Sequence, residues 1–250
     1  MKYFAAAALA LALIVPAAFA GDAEPSLEDL LNGVDDVQRG GSSHAKVSMH
    51  VKTRRWERTI VMESWSEGED KSLIKIISPA KEAGTATLMV DDNIWNYLPK
   101  VDRTMKVPAS MMSGAWMGSH FSNNDLVRSA RLAEEFTYEL KQSPSEDGTG
   151  HWIIECIPKE DAPVVWGKVV VNVRAEDRIP DEITYWDEDG ELVRTMRFED
   201  IQDVAGRKVP MRMMLIPADE PDEYTKVTYE SLEFDPELPA STFTLQSIRK

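Results

Sequence analysis

From His44 almost to the end of the chain, apolar residues return at every second position, and only short stretches restore a helical period. Alternation of this kind buries one face of each segment and leaves the other to solvent, the mark of antiparallel strands. "KVVVNVR" sets Val169, Val171 and Val173 against Lys168, Asn172 and Arg174, while "LVRTMRFE" and "MRMMLI" alternate less cleanly. Thirteen segments qualify as strands: 44–53, 57–66, 71–78, 85–91, 93–98, 102–107, 136–143, 151–159, 166–174, 181–187, 192–200, 207–217 and 223–235. Turns at Asp92-Asn93, Asp189-Gly190 and Ala205-Gly206 join neighbours with so few residues that consecutive strands form an antiparallel meander. In "VTYESLEF" the apolar phase slips from Val227 and Tyr229 to Leu232 and Phe234, which predicts a β-bulge near Glu230-Ser231 in a curved strand.

Two stretches depart from the pattern. Leu27, Leu30, Leu31, Val34 and Val37 share one helical stripe behind Ser26, a natural N-cap, with Glu28 and Asp29 in the first turn and Gly40-Gly41 as the stop. A second helix is expected where Asn124 caps Leu126, Val127, Ala130 and Leu132, and a last short helical piece around "ASTFTL". Ahead of all this, Lys2, the apolar run Tyr3 to Val15 and the small-residue site Ala18-Phe19-Ala20 read as a secretory signal peptide over 1–20, cut after Ala20. The run is shorter than the roughly 20 residues of a membrane span. No cysteine follows the cut, so a lipid anchor at the new N-terminus is not expected. Residues 21–250 then form a single domain, since no repeat or low-complexity linker divides them.

Charge and composition exclude several functions. The net charge is −15, or −16 without Lys2. Such a field repels phosphate backbones and anionic lipid surfaces, so nucleic acid is not an expected partner. Cys156 is the one cysteine, within "HWIIECIP", where a buried strand thiol is expected. His44, His50, His120 and His151 show no metal-ligand spacing. Gly114 and Gly118 lack the Lys-Ser/Thr of a phosphate loop, Ser113 has no partner to activate it, and Glu134-Glu135 and Asp91-Asp92 fall where neither pair is desolvated. Neither catalytic residues nor a metal or cofactor site emerges, and the chain reads as one that binds rather than converts.

The binding candidate is "VPASMMSGAWMGSHFSNNDL". Met111, Met112, Trp116, Met117 and Phe121, with Trp95, Tyr97 and Leu98 before them and Leu126 after, make the densest apolar stretch beyond residue 20. Methionine is unbranched and polarizable, so such a segment suits either an irregular core beneath a loop or the wall of a cavity for apolar ligands of variable shape.

Tyr97-Leu98-Pro99 with Arg103, the Met117-Gly118-Ser119 and Phe121-Ser122 string, and Asp125-Leu126 stand in the order in which the LolA-like family carries similar residues. With "YELK", "WIIECIPK", "IPDEITYWDEDGELVRTMRFEDI" and "GRKVPMRMMLIP" after them, the likeness extends from about residue 40 to the end. The chain thus resembles a divergent branch of the outer-membrane lipoprotein-sorting proteins. The resemblance implies a mainly β fold: an open, incomplete antiparallel β-barrel of about eleven strands with a few helices closing one side. It also implies a periplasmic carrier whose cavity takes an acyl chain or other apolar cargo from an inner-membrane transporter of ABC or RND type. The nine residues named above would line that cavity. An accessory subunit docking to an export complex is the alternative.

Overall fold

The computed structural model describes residues 24–38, 40–127, 131–162 and 164–249. The expected signal peptide, residues 1–20, lies outside them. Thirteen strands, β1 (Ser42–Lys52), β2 (Glu57–Glu67), β3 (Lys71–Ser78), β4 (Ala86–Val90), β5 (Asn93–Leu98), β6 (Arg103–Lys106), β7 (Phe136–Gln142), β8 (His151–Pro158), β9 (Lys168–Arg174), β10 (Pro180–Trp186), β11 (Leu192–Val204), β12 (Arg207–Pro217) and β13 (Tyr224–Phe234), form one antiparallel sheet. Its order is β6-β5-β4-β3-β2-β1-β13-β12-β11-β10-β9-β8-β7. Two meanders run outward from the central β1–β13 pair, and β6 and β7 end unpaired with each other, so the barrel stays open. Each of the thirteen alternating segments became a strand, two more than the eleven that the family resemblance implied.

Local chemistry explains the register. Ala205 and Gly206 both take positive φ, 54° and 83°, as a two-residue hairpin between Val204 and Arg207 requires. The β4–β5 turn falls one residue earlier than expected, at Asp91-Asp92, with Asp91 at φ 51°. Opposite β13, Lys46 pairs with Ser231 and Val47 with Tyr229, leaving Glu230 as the extra residue of the predicted bulge.

One face of the sheet is concave and lined mainly by apolar residues. Along β9, Val169, Val171 and Val173 are wholly buried on it, next to Trp152, Ile154 and Cys156 of β8. The amphipathic helix α1 (Leu27–Asp36) covers this half with Leu30, Leu31 and Val34. Ser26 caps it reciprocally: its Oγ accepts from the Asp29 amide at 3.0 Å, and the Asp29 carboxylate takes the Ser26 hydroxyl at 2.7 Å.

The chain must travel from β6 at one edge to β7 at the other, and residues 107–127 and 131–135 lie on the concave face between them. They include α2 (Asn123–Val127) and α3 (Leu132–Glu135), two short pieces in place of the one helix expected. Ser122 rather than Asn124 caps α2, its Oγ accepting from the Asp125 amide at 3.2 Å. Leu132 opens α3 instead of continuing α2, and Ala130 falls outside the described residues. After β13 the chain folds onto the convex face, where Ile248 packs on Leu73, Ala86 and Leu88. The helical piece expected near "ASTFTL" forms only as a 3₁₀ turn farther on, at Ser247–Arg249. Among the described residues no helix is long and apolar enough to cross a membrane.

Candidate functional site

Between α1, the crossing segment and the middle of the sheet lies a cavity of about 380 Å³. Its floor is set by strand register: Met49 of β1, Val227 of β13 and Met213 of β12 stand side by side, with Phe198 and Met196 of β11 beyond them. Val34, Val37 and Gln38 form the roof on the α1 side, and Trp116, Phe121 and Leu126 on the other.

The crossing segment is tied down at several points. Trp116, 5% exposed, donates its indole N–H to Thr87 Oγ1 at 3.3 Å and its amide to the Phe121 carbonyl at 2.7 Å. Arg58 of β2 donates to the Met117 carbonyl, where Met117 itself sits at φ 51°. The His120 amide and ring both reach Thr225, at 3.0 and 2.8 Å. These bonds make the segment a wall of the cavity, built on the β1–β4 side by Trp116 and Met117 against Met49, Ile60 and Ile76.

Its strongest tie is ionic. Arg194 of β11 meets Asp125 of α2 in a bidentate pair, with Nη1–Oδ2 2.9 Å and Nη2–Oδ1 2.6 Å. Both side chains are largely buried. The guanidinium carbon also lies 4.5 Å from the ring centres of both Trp166 and Tyr185, within cation–π range. Burial by itself would push the Asp125 carboxyl up, but Arg194 and the Ser122 amide and hydroxyl overcome it and hold the group below the usual carboxylate range. Burial pushes the neighbouring Tyr185 phenol up to about 12, so it stays neutral. Asp35 of α1 completes this side by accepting the Leu132 amide at 2.9 Å.

No curated protein matches the chain in sequence. A protein family described as "Uncharacterized protein" matches residues 68–250. A domain from Vibrio parahaemolyticus named for outer membrane lipoprotein sorting superposes with a TM-score of 0.76 at 21% identity, covering 89% of this chain and 98% of its own. A LolA superfamily protein from Nitrosomonas europaea gives 0.73 at 21% identity, covering 89% and 99%. The chain belongs to the family whose model matches residues 68–250, and its fold is LolA-like. A DUF1329 family protein from Desulfovibrio piger shares the fold with a TM-score of 0.79 at 23% identity, over 88% of this chain and 97% of its own.

In this LolA-like chain the nine residues singled out by sequence part company. Trp116, Phe121 and Leu126 line the cavity. Trp95 and Tyr97 point to the convex face and pack under the C-terminal segment with Leu73 and Leu88. Leu98 and Met111 are exposed, at 37% and 59%, Met112 is half-buried, and Met117 supports Trp116 from behind. The alternation says only that Trp95 and Tyr97 share a face, and here both faces of β3–β5 are covered. Sequence reasoning passed over Arg194, Met196, Met213 and Val227, as well as the α1 residues. Arg194 carried a signal, because it occupies the inward phase of "LVRTMRFE" together with Met196 and Phe198 and so is a charge placed on a buried face.

Proposed function

We propose that the protein is a periplasmic carrier that holds an acyl chain or another apolar group in the central cavity, receives it from an inner-membrane transporter of ABC or RND type, and releases it without chemical change. The observation that carries this reading is the cavity itself: about 380 Å³ of space floored by Met49, Met213 and Val227, in a position where a structural core would be filled. The LolA-like fold and the lipoprotein-sorting name of one structural relative support it. Magnitudes agree with a carrier. Burying about twelve methylenes yields roughly 10 kcal/mol at about 0.8 kcal/mol each, and association costs of at least about 4 kcal/mol leave no more than about 6 kcal/mol net, a weak and reversible hold. The methionines of the floor adapt to chains of differing length and branching.

Binding of N-phenyl-1-naphthylamine, a neutral apolar fluorophore, tests the reading. The mature chain is expected to give a saturable one-to-one rise in fluorescence. Val227→Trp, which fills the centre of the floor, is expected to abolish that rise while leaving the circular dichroism spectrum and melting temperature near those of the parent. An unchanged signal in the folded variant would place binding elsewhere.

A further inference from the structure

The concave face changes character along its strands. Reading β1 toward its start gives Met49, Val47, Ala45 and Ser43; β2 toward its end gives Met62, Ser64 and Ser66; β3 toward its start gives Ile74 and then Ser72, all of them on the cavity wall. Register aligns the hydroxyls, because Ser43 pairs with Ser66 and Ser66 pairs with Ser72 across three adjacent strands. Ser43 and Ser66 share a hydrogen bond of 2.6 Å, whereas the Ser64 and Ser72 hydroxyls bond to no described residue and face the open volume. An inward sheet face is normally apolar at such positions, and a row of hydroxyls there forfeits burial that Ala or Val would supply.

Resting on the carrier reading above, we infer that this end of the cavity receives the polar head of an uncharged amphiphile, one whose hydroxyl, ester or amide oxygens meet Ser64 and Ser72 while its apolar tail runs toward Met49 and Trp116. A hydroxyl both donates one hydrogen bond and accepts two, which suits neutral oxygen functions. A free carboxylate or phosphate needs a cation or a set of N–H donors. Among the described residues of the wall the cation is Arg194, already engaged by both oxygens of Asp125, and Asp35 adds a further acidic group. The net charge of −15 disfavours an anionic head further.

Two probes with the same eighteen-carbon tail separate the cases: 1-monooleoylglycerol, which is neutral, and oleate, which is ionised at pH 8. Each is titrated below its micelle concentration against protein loaded with N-phenyl-1-naphthylamine. The glycerol ester is expected to displace the fluorophore at a concentration about tenfold lower than oleate does, the ratio that one or two neutral hydrogen bonds supply. The double variant Ser64→Ala/Ser72→Ala is expected to weaken the ester about tenfold while leaving oleate and the fluorophore unchanged, and Ser64→Thr/Ser72→Thr to restore much of the loss. Equal potency of the two probes, insensitive to the alanine pair, would overturn the inference and leave the carrier reading intact. Displacement by neither, with the fluorophore bound, would overturn it too. Failure of the fluorophore itself to bind would instead bring down the carrier reading on which it rests.

Discussion

At the scale of single residues, Arg194 and Asp125 decide how the crossing segment is held. Their charges are out of water, so removing one partner leaves the other uncompensated, which costs more than the net worth of the pair. Asp125→Asn is therefore expected to lower stability by about 3 kcal/mol at pH 7 in urea unfolding. The pH dependence follows from the direction of its shift: a carboxyl held below its unfolded value of about 3.9 stabilises fully above that value and loses the contribution as pH falls through the folded one. The gap between parent and variant should thus stay constant from pH 7 to about 5 and close below about 3.9. A gap that closed near neutrality, or one that never closed, would mean that ionised Asp125 is not what Arg194 holds.

Among the elements, α1 shows how a locally simple signal can serve a distant surface. Its stripe and cap were legible in the sequence because each is set by residues within a few positions of the others, whereas the helix ends at Asp36, ahead of the expected Gly40-Gly41 stop, and it lies on the concave face with Leu30, Leu31 and Val34 buried. Ser26→Ala removes both bonds of the Ser26 hydroxyl, the one accepted from the Asp29 amide and the one donated to its carboxylate, and is expected to cost about 1 kcal/mol, read as a lower urea midpoint at unchanged slope. No change in midpoint would show that α1 is fixed by its packing on β8 and β9 alone. The strands were legible for the same local reason, and so was the bulge at Glu230, announced by the slip of phase between Tyr229 and Leu232. What alternation leaves open is which of its two faces turns inward around a cavity. Trp95 and Tyr97 were assigned to the cavity by their neighbourhood in sequence, yet they pack on the convex side, where a segment from the far end of the chain covers them. The residues that alternation undervalued, Arg194 and the four inward serines, are polar groups on an apolar phase, and their spacing becomes meaningful only once the strands are set side by side.

For the whole molecule, the topology itself creates the site. Two meanders that leave β6 and β7 at opposite edges oblige the chain to cross the concave face, and the crossing roofs a volume that neither α1 nor the sheet fills. Buried clusters lie on both sides of that volume, one built on β7–β11 with α1 and the other on β1–β3 with Trp116, so the fold keeps its own core beside the empty space. On the proposed carrier reading, stability and cargo binding are therefore expected to be separable. The most direct measurement is native mass spectrometry of the protein isolated gently from cells, followed by lipid extraction. The carrier account predicts a stoichiometric adduct that releases an acyl-containing or other apolar molecule on extraction and is missing from folded Val227→Trp. A bare mass that stays bare after incubation with lipids, or an adduct retained in full by Val227→Trp, would contradict it.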